Sequence, residues 1–291
     1  MPLTRAGLIA RTTLPAALST LTDAASWLER HGCTPVIERA SATAAGVDGR
    51  WPTSDRGELG KDVEVVLVFG GDGTLLDAAS AVAHAGYDAP LFGVNLGRLG
   101  FLTEIGRGDL TTALEALHAG RTQIETRLML EGRVVRGGTR IAERLALNDI
   151  VVTRGALSRM IEIDAAVDGQ QVCRVKADGL IIATATGSTA YNLSAGGPIV
   201  HPSVDAMVMT PIAPHTLTNR PLVLPATATV TLRPEIEPRS DIVVTFDGQF
   251  GQRLEPDDAI EIVRASRVLT LMHLAGRSHY DMLREKLQWG R

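Results

Sequence analysis

Cysteine is scarce in this sequence. Cys33 and Cys173 are the only two among 291 residues. They lie far apart and in no metal-ligating spacing, so neither a structural disulfide nor a protein metal site is expected, and a reducing compartment fits. Long apolar runs are missing as well: none approaches the roughly 20 residues that span a bilayer. The opening MPLTRAGLIARTTLP lacks the apolar stretch of a signal peptide. The expectation is a cytoplasmic protein with no membrane partner. Charge of one sign is lacking too. The formal net charge is −4 and the basic residues are scattered, which argues against nucleic acid as a partner. There is no internal repeat and no low-complexity tract. What is present is 45% apolar residues, ordinary for a globular chain with a sizeable core, and a length that fits one large or two modest domains.

The first part alternates strand and helix signals. Residues 7–10 read as a short buried strand. Pro15 opens a helix with Leu18, Leu21, Ala25 and Leu28 on one face and Gly32 as its stop. Thr34 to Glu38 reads as a strand. Residues 41–60, rich in Ala, Gly, Ser and Asp without a period, read as a loop. Val63 to Phe69 is a continuous apolar run, as in a parallel strand buried on both faces. A helix from Thr74 to Ala85, a strand at Leu91 to Asn95 and a helix from Asp109 to Ala119, capped by Asp109, complete the pattern. This alternation predicts a doubly wound α/β N-terminal domain over 1–122. From there strand-like runs dominate: Arg133–Arg136, Leu145–Thr153, Ile161–Val167, Leu180–Thr184, Thr229–Leu232, Ile242–Phe246, Ala259–Val263 and Val268–Leu271. Asp168-Gly169 and Asp247-Gly248 suit tight hairpins. The span 123–275 is therefore expected to be a mostly β C-terminal domain, and Ser278 to Trp289 reads as helical.

Four segments carry chemistry. Gly70-Gly71-Asp72-Gly73-Thr74 follows a strand and precedes a helix. Glycines allow a sharp turn and a close ligand, and the helix turns its free N–H groups toward a phosphate. Asp72 could take a proton from an attacking hydroxyl or help hold magnesium; equally, it could simply cap the helix. The segment is neither a Walker loop nor a GxGxxG fingerprint. The second segment, residues 93–104, packs three glycines into a constrained loop at the same sheet edge; Phe101 within it reads on its own as core, with ring stacking as the alternative. Asn148-Asp149 is either a plain turn or a reader of a base edge or ribose. The longest segment, Asp178 to Pro198, runs from a strand into a stretch dense in hydroxyls, suited to a polar, ring-containing ligand.

Together these segments closely resemble the NAD kinase family. GGDGT, NLGRLGFLTE, the ND pair, DGLIIATATGSTAYNLSAGGPIVHP and PHTLTNRPLVLP stand in the family's order and spacing, from about Val63 to YDMLREKLQWG. GGDGT alone is weakly specific; TGSTAYNLSAGGP after it is highly specific. The resemblance implies an enzyme that moves the γ-phosphoryl of ATP to the 2′-hydroxyl of the adenosine ribose of NAD, giving NADP, with a divalent ion, Mg2+, accompanying ATP. It implies that residues 276–291 complete the first domain, that 123–275 bind NAD, and that the chain forms a homodimer or homotetramer. By motif, Asp72 becomes the catalytic base, and Gly70, Gly71, Gly73 and Thr74 the phosphate loop, with Gly73 against the ligand. Phe101 becomes an adenine-stacking ring, against the core reading. Asn148, Asp149 and Thr189 fall on the adenosine half. Tyr191 and Ser194 line the ribose and phosphates, with Ala190, Asn192 and Ala213 beside them. Arg159, Lys176, Asp178 and Gln249 contact NAD, some of them from a neighbouring subunit. The chain departs from the family at Ala185, where proline is usual, and at Ala213, where a bulkier residue is common.

Overall fold

The computed structural model describes residues 3–97, 100–155, 160–216, 218–236, 241–276 and 278–288. The chain divides into two compact units, Met1–Thr126 with Leu269–Arg291, and Arg127–Val268. The first unit is built from β1 (Arg5–Ala10), α1 (Pro15–Arg30), β2 (Thr34–Glu38), α2 (Arg39–Ala45), β3 (Thr53–Ser54), β4 (Val65–Gly70), α3 (Asp72–Ala85), β5 (Leu91–Asn95), β6 (Ile105–Gly106) and α4 (Leu110–His118). The strand order is β3-β2-β1-β4-β5-β6, every pair parallel. That is a doubly wound sheet whose order reverses between β1 and β4, the crevice where such sheets take ligands. Strand periodicity divides the side chains. Val65, Leu67 and Phe69 share a core with α1 and α4, whereas Val66 and Val68 are buried outside that cluster.

Residues 41–60 are not the plain loop expected. They hold most of α2, then β3 and a single turn at Arg56–Glu58, with Trp51 and Leu59 buried. The Glu38 carboxylate accepts from Ser41 N at 3.1 Å to start α2, and Gly46, at φ +68°, ends it. Isolated apolar residues hold this segment, so it shows no period. Helix α3 begins at Asp72 rather than Thr74, and Gly71 occupies the N-cap, so the Asp72 side chain does not cap it. Asp109 sits at the N-cap of α4 but its side chain makes no capping bond.

The second unit follows along β7 (Thr122–Arg136), β8 (Thr139–Ala146), β9 (Asp149–Arg154), β10 (Ile161–Val167), β11 (Gln170–Ala177), β12 (Gly179–Thr184), a short helix α5 (Tyr191–Ser194), β13 (Ala206–Ile212), β14 (Leu222–Pro225), β15 (Val230–Pro234), β16 (Ile242–Phe246), β17 (Phe250–Arg253) and β18 (Ala259–Leu274). One antiparallel sheet runs β14-β13-β12-β9-β16-β17, and a second set runs β11-β10-β15-β18. Ile150, Val152, Leu180, Ile182 and Val244 of the former share a core with Ile161, Ile163, Leu232 and Ile260 of the latter. The expected run Leu145–Thr153 is two strands, and the expected pair Ala259–Val263 and Val268–Leu271 is one, because Arg264 to Arg267 stays extended. Asp168-Gly169 and Asp247-Gly248 both turn with positive φ, as their sequences required.

From Leu269 the chain returns to the first unit, where Leu271 pairs with Leu91. The helix α6 (His279–Leu287) then starts on a capping box, Ser278 with Asp281, and buries Met282 and Leu283. No helix among the described residues is long and apolar enough to cross a membrane.

Candidate active site

In the first unit everything converges on the Asp72 carboxylate. Strand β4 ends at Gly70 and α3 begins at Asp72, so the chain turns within one residue. A Cβ on Gly70 would run into the Thr74 side chain. The loop after β5 folds back over Asp72. Phe101 N donates to Oδ2 at 2.8 Å. Leu102 N and Thr103 N each donate to Oδ1 at 3.1 Å, and Thr103 Oγ1 donates to the same oxygen at 2.9 Å. Buried Asn95 holds this turn from inside, donating to Thr103 Oγ1 at 2.7 Å and accepting from Gly97 N at 2.7 Å. A Cβ on Gly100 would overlap Asp72 Oδ1, so the close approach requires glycine there. A carboxylate offers about four acceptor sites. Three donors crowd Oδ1 and one meets Oδ2, which leaves Oδ2 as the oxygen with room for a further hydroxyl.

Phe101 is half-buried and outside the buried clusters, which corrects the reading of it as core. Its ring carries the Lys286 ammonium 4.4 Å from the centroid, and the same ammonium lies 3.6 Å from Asp72 Oδ2. At the far end of the loop, His273 sits between Glu104, at 3.2 Å, and Glu125, at 3.3 Å. Sequence reasoning singled out neither Lys286 nor His273. Both come from the returning tail, and no local spacing links them to residue 72.

In the second unit the polar centre is the break between β8 and β9. The amides of Leu147, Asn148 and Asp149 donate to the Asp247 carboxylate at 2.8, 2.7 and 3.1 Å. Burial pushes the Asp149 carboxyl up to about 7, and the Asp247 charge adds to the shift. Burial raises Asp247 as well, against its three amide donors. The hydroxyl-rich loop packs on this break. Thr184 Oγ1 donates to Leu147 O at 2.6 Å and accepts from Gly187 N at 2.9 Å. A Cβ on Gly187 would strike the Asn148 backbone.

Much of the hydroxyl-rich stretch is used by the fold itself. Ser188 Oγ donates to Ala185 O at 2.6 Å and accepts from Val200 N at 3.0 Å. Asn192 is fully buried; its amide donates to Ser188 O and Pro198 O and accepts from Thr210 Oγ1. The Asn192 side chain therefore braces the loop from inside. Tyr191, 45% exposed, and Ser194 face solvent, while Thr189 and Ala190 are half-buried. Ala213 is exposed with φ +45°, a backbone conformation that disfavours larger side chains. Within the chain, Lys176 pairs with Glu162 at 3.1 Å and Asp178 with Arg154 at 2.7 Å. Gln249 lies exposed just past the Asp247-Gly248 turn. Arg159 lies outside the described residues.

Comparison with known proteins places this geometry among relatives. Residues 7–122 match the family model described as ATP-NAD kinase N-terminal domain, and residues 147–274 the one described as ATP-NAD kinase C-terminal domain. The chain is 46% identical over 269 residues to a protein named NAD kinase from Cupriavidus pinatubonensis, covering 92% of this chain and 87% of that one. It is 42% identical to a protein of the same name from Syntrophotalea carbinolica, covering 98% and 99%. Among solved structures, yeast NADH kinase complexed with NADH superposes with a TM-score of 0.86 at 25% identity, covering all of this chain and 89% of that one. An NAD kinase from Archaeoglobus fulgidus in complex with ATP shares the fold with a TM-score of 0.74 at 24% identity, covering 98% and 99%.

Proposed function

The chain belongs to the NAD kinase family, and from that premise we propose that Asp72 is the base of its reaction. The reaction transfers the γ-phosphoryl of ATP to the 2′-hydroxyl of the adenosine ribose of NAD, giving NADP. The observation that carries the proposal is the asymmetric loading of the Asp72 carboxylate, three donors on Oδ1 and one on Oδ2. Fixed this way, the side chain cannot rotate. Oδ2 then accepts the hydroxyl proton as the ribose oxygen bonds to phosphorus and the bond to the leaving ADP oxygen breaks. The N-terminal amides of α3, preceded by Gly70 and Gly71, supply fixed dipoles for phosphate oxygens.

The remaining assignments follow the motifs. Phe101 offers its face to adenine. Asn148, Asp149 and Thr189 are proposed for the adenosine half, and Tyr191 and Ser194, both exposed, for ribose and phosphates. Gly73, Arg159, Lys176, Asp178, Ala190, Asn192, Ala213 and Gln249 complete the proposed NAD contacts. Among the described residues no group of three or more His, Cys, Asp or Glu side chains is placed to hold an ion. We assign the divalent ion to the triphosphate, since magnesium keeps several waters and is held by one or two carboxylates plus substrate phosphates rather than by a cage of protein ligands. A homo-oligomer and a cytoplasmic location are part of the same proposal; the free thiols of Cys33 and Cys173 suit a reducing compartment.

Asp72→Asn tests the base. With its oxygen toward Leu102 and Thr103, asparagine keeps three of the four donors satisfied, so folding survives. NAD affinity should stay near normal while kcat falls about 10²–10⁴-fold, the usual contribution of a general base. A kcat close to that of the unaltered enzyme would remove Asp72 from the chemistry.

A further inference from the structure

We propose that Lys286 is a catalytic residue of the phosphoryl transfer, supplying from α6 the cation that the glycine-rich loop lacks. The proposal rests on the reading of Asp72 as the base. The loop sequence Gly70-Gly71-Asp72-Gly73-Thr74 contains no lysine or arginine, and its one charged side chain is negative. A triphosphate approaching it meets repulsion from Asp72 unless a cation stands close by. Lys286 stands there. Its ammonium is 3.6 Å from Asp72 Oδ2, the oxygen that takes a single loop amide, Phe101 N, against three donors on Oδ1. It also lies over the Phe101 ring, 4.4 Å from the centroid.

The position is built. Helix α6 is started by the Ser278–Asp281 capping box and held by buried Met282 and Leu283, and the Lys286 side chain remains 32% exposed. An ammonium on a flexible stem can shift by a few ångströms without moving the helix. Adenine stacking on Phe101 displaces it from the ring. What remains for it is the region of Oδ2, where the phosphoryl must arrive.

The charge balance of the step favours this role. The ribose oxygen bonds to the γ-phosphorus, the bond to the bridging oxygen breaks with its electrons passing to ADP, and the hydroxyl proton moves to Asp72 Oδ2. Asp72 becomes neutral in the same step that leaves negative charge on the departing diphosphate. The attraction holding Lys286 to the carboxylate therefore lapses as the phosphate oxygens come to need it. Lysine serves such sites as a point charge.

Lys286→Met keeps the length and removes the charge. The expected result is a fall in kcat of about 10²-fold or more, the scale for loss of one charge-stabilising group, with the KM for NAD within about threefold and melting temperature unchanged. Lys286→Arg is expected to recover at least about tenfold over Met, since the charge is restored on a different geometry. If Lys286→Met proves poorly folded, Lys286→Gln carries the same reading. A kcat within twofold of the unaltered enzyme overturns the proposal. So does tighter NAD binding with higher turnover, which makes Lys286 a cover on Phe101 instead. Asp72→Asn, assayed in parallel, keeps the two readings apart. Near-normal turnover in that variant removes the base and with it the premise for Lys286, whereas lost turnover in Asp72→Asn with normal turnover in Lys286→Met removes only Lys286.

Discussion

A single methyl group separates a working Asp72 from a blocked one. Because a Cβ on Gly100 overlaps Asp72 Oδ1, Gly100→Ala must push the carboxylate or the loop aside. The expected outcome is loss of most turnover, with a stability cost of about 1–3 kcal/mol for overpacking; steady-state rates and melting curves check it. Phe101 gives the complementary case. Half-buried and outside the buried clusters, it holds up little of the fold. Phe101→Ala is expected to weaken NAD binding by about 1–3 kcal/mol, the scale of a base–aromatic stack, and to leave the melting temperature nearly unchanged. A large melting loss with unchanged affinity would return Phe101 to the core. Asp149 predicts a pH effect. Its carboxyl is pushed up to about 7 from an ordinary 3.8, so between those values the folded chain holds a proton that the unfolded chain has released. Stability from this group therefore falls as pH rises from about 4 to about 7 and is level above. Asp149→Asn should remove that slope, so the melting difference between pH 5 and pH 8 should shrink relative to the unaltered protein. An unchanged difference rules out the raised carboxyl.

Elements with a strong local signal were readable from the sequence. β2, β5 and β16 have the bounds their apolar runs indicated, and the two Asp-Gly turns follow from side-chain chemistry alone. What escaped detection depended on distant partners. The break at Leu147-Asn148 is invisible in an apolar run, because it is made by Asp247, one hundred residues away from Leu147. β11 and β17 carry mixed or polar residues, and β13 and β14 are apolar but short and interrupted or ended by proline, so their pairing is set by neighbouring strands rather than by a period. The same holds for the site. GGDGT and the segment 93–104 announced themselves as glycine-rich turns, but only the fold shows that the second clamps the carboxylate of the first. Asp247→Ala is expected to cost on the order of 3 kcal/mol. It leaves three amides without their acceptor, and relief of Asp149 offsets part of the loss. Chemical denaturation measures it, and a cost under about 1 kcal/mol would mean that water replaces the carboxylate without penalty.

At the scale of the molecule, the proposed oligomer predicts a mass by light scattering of two or four 31.0 kDa chains; the mass of one chain would remove that part of the proposal. The first unit is discontinuous in sequence, since Leu269–Arg291 rejoins Met1–Thr126 only after Arg127–Val268. On the ribosome this becomes an order in time. Asp72 and its loop emerge early, and Lys286 follows only when the whole second unit has been made, on the order of ten seconds later at usual elongation rates. A nascent chain thus carries its glycine loop and its proposed base well before the charge proposed to draw in a triphosphate. If Lys286 supplies that charge, nucleotide consumption begins only once α6 has been made, and a protease that removes α6 alone, leaving the Leu271–Leu91 strand pairing in place, ends it.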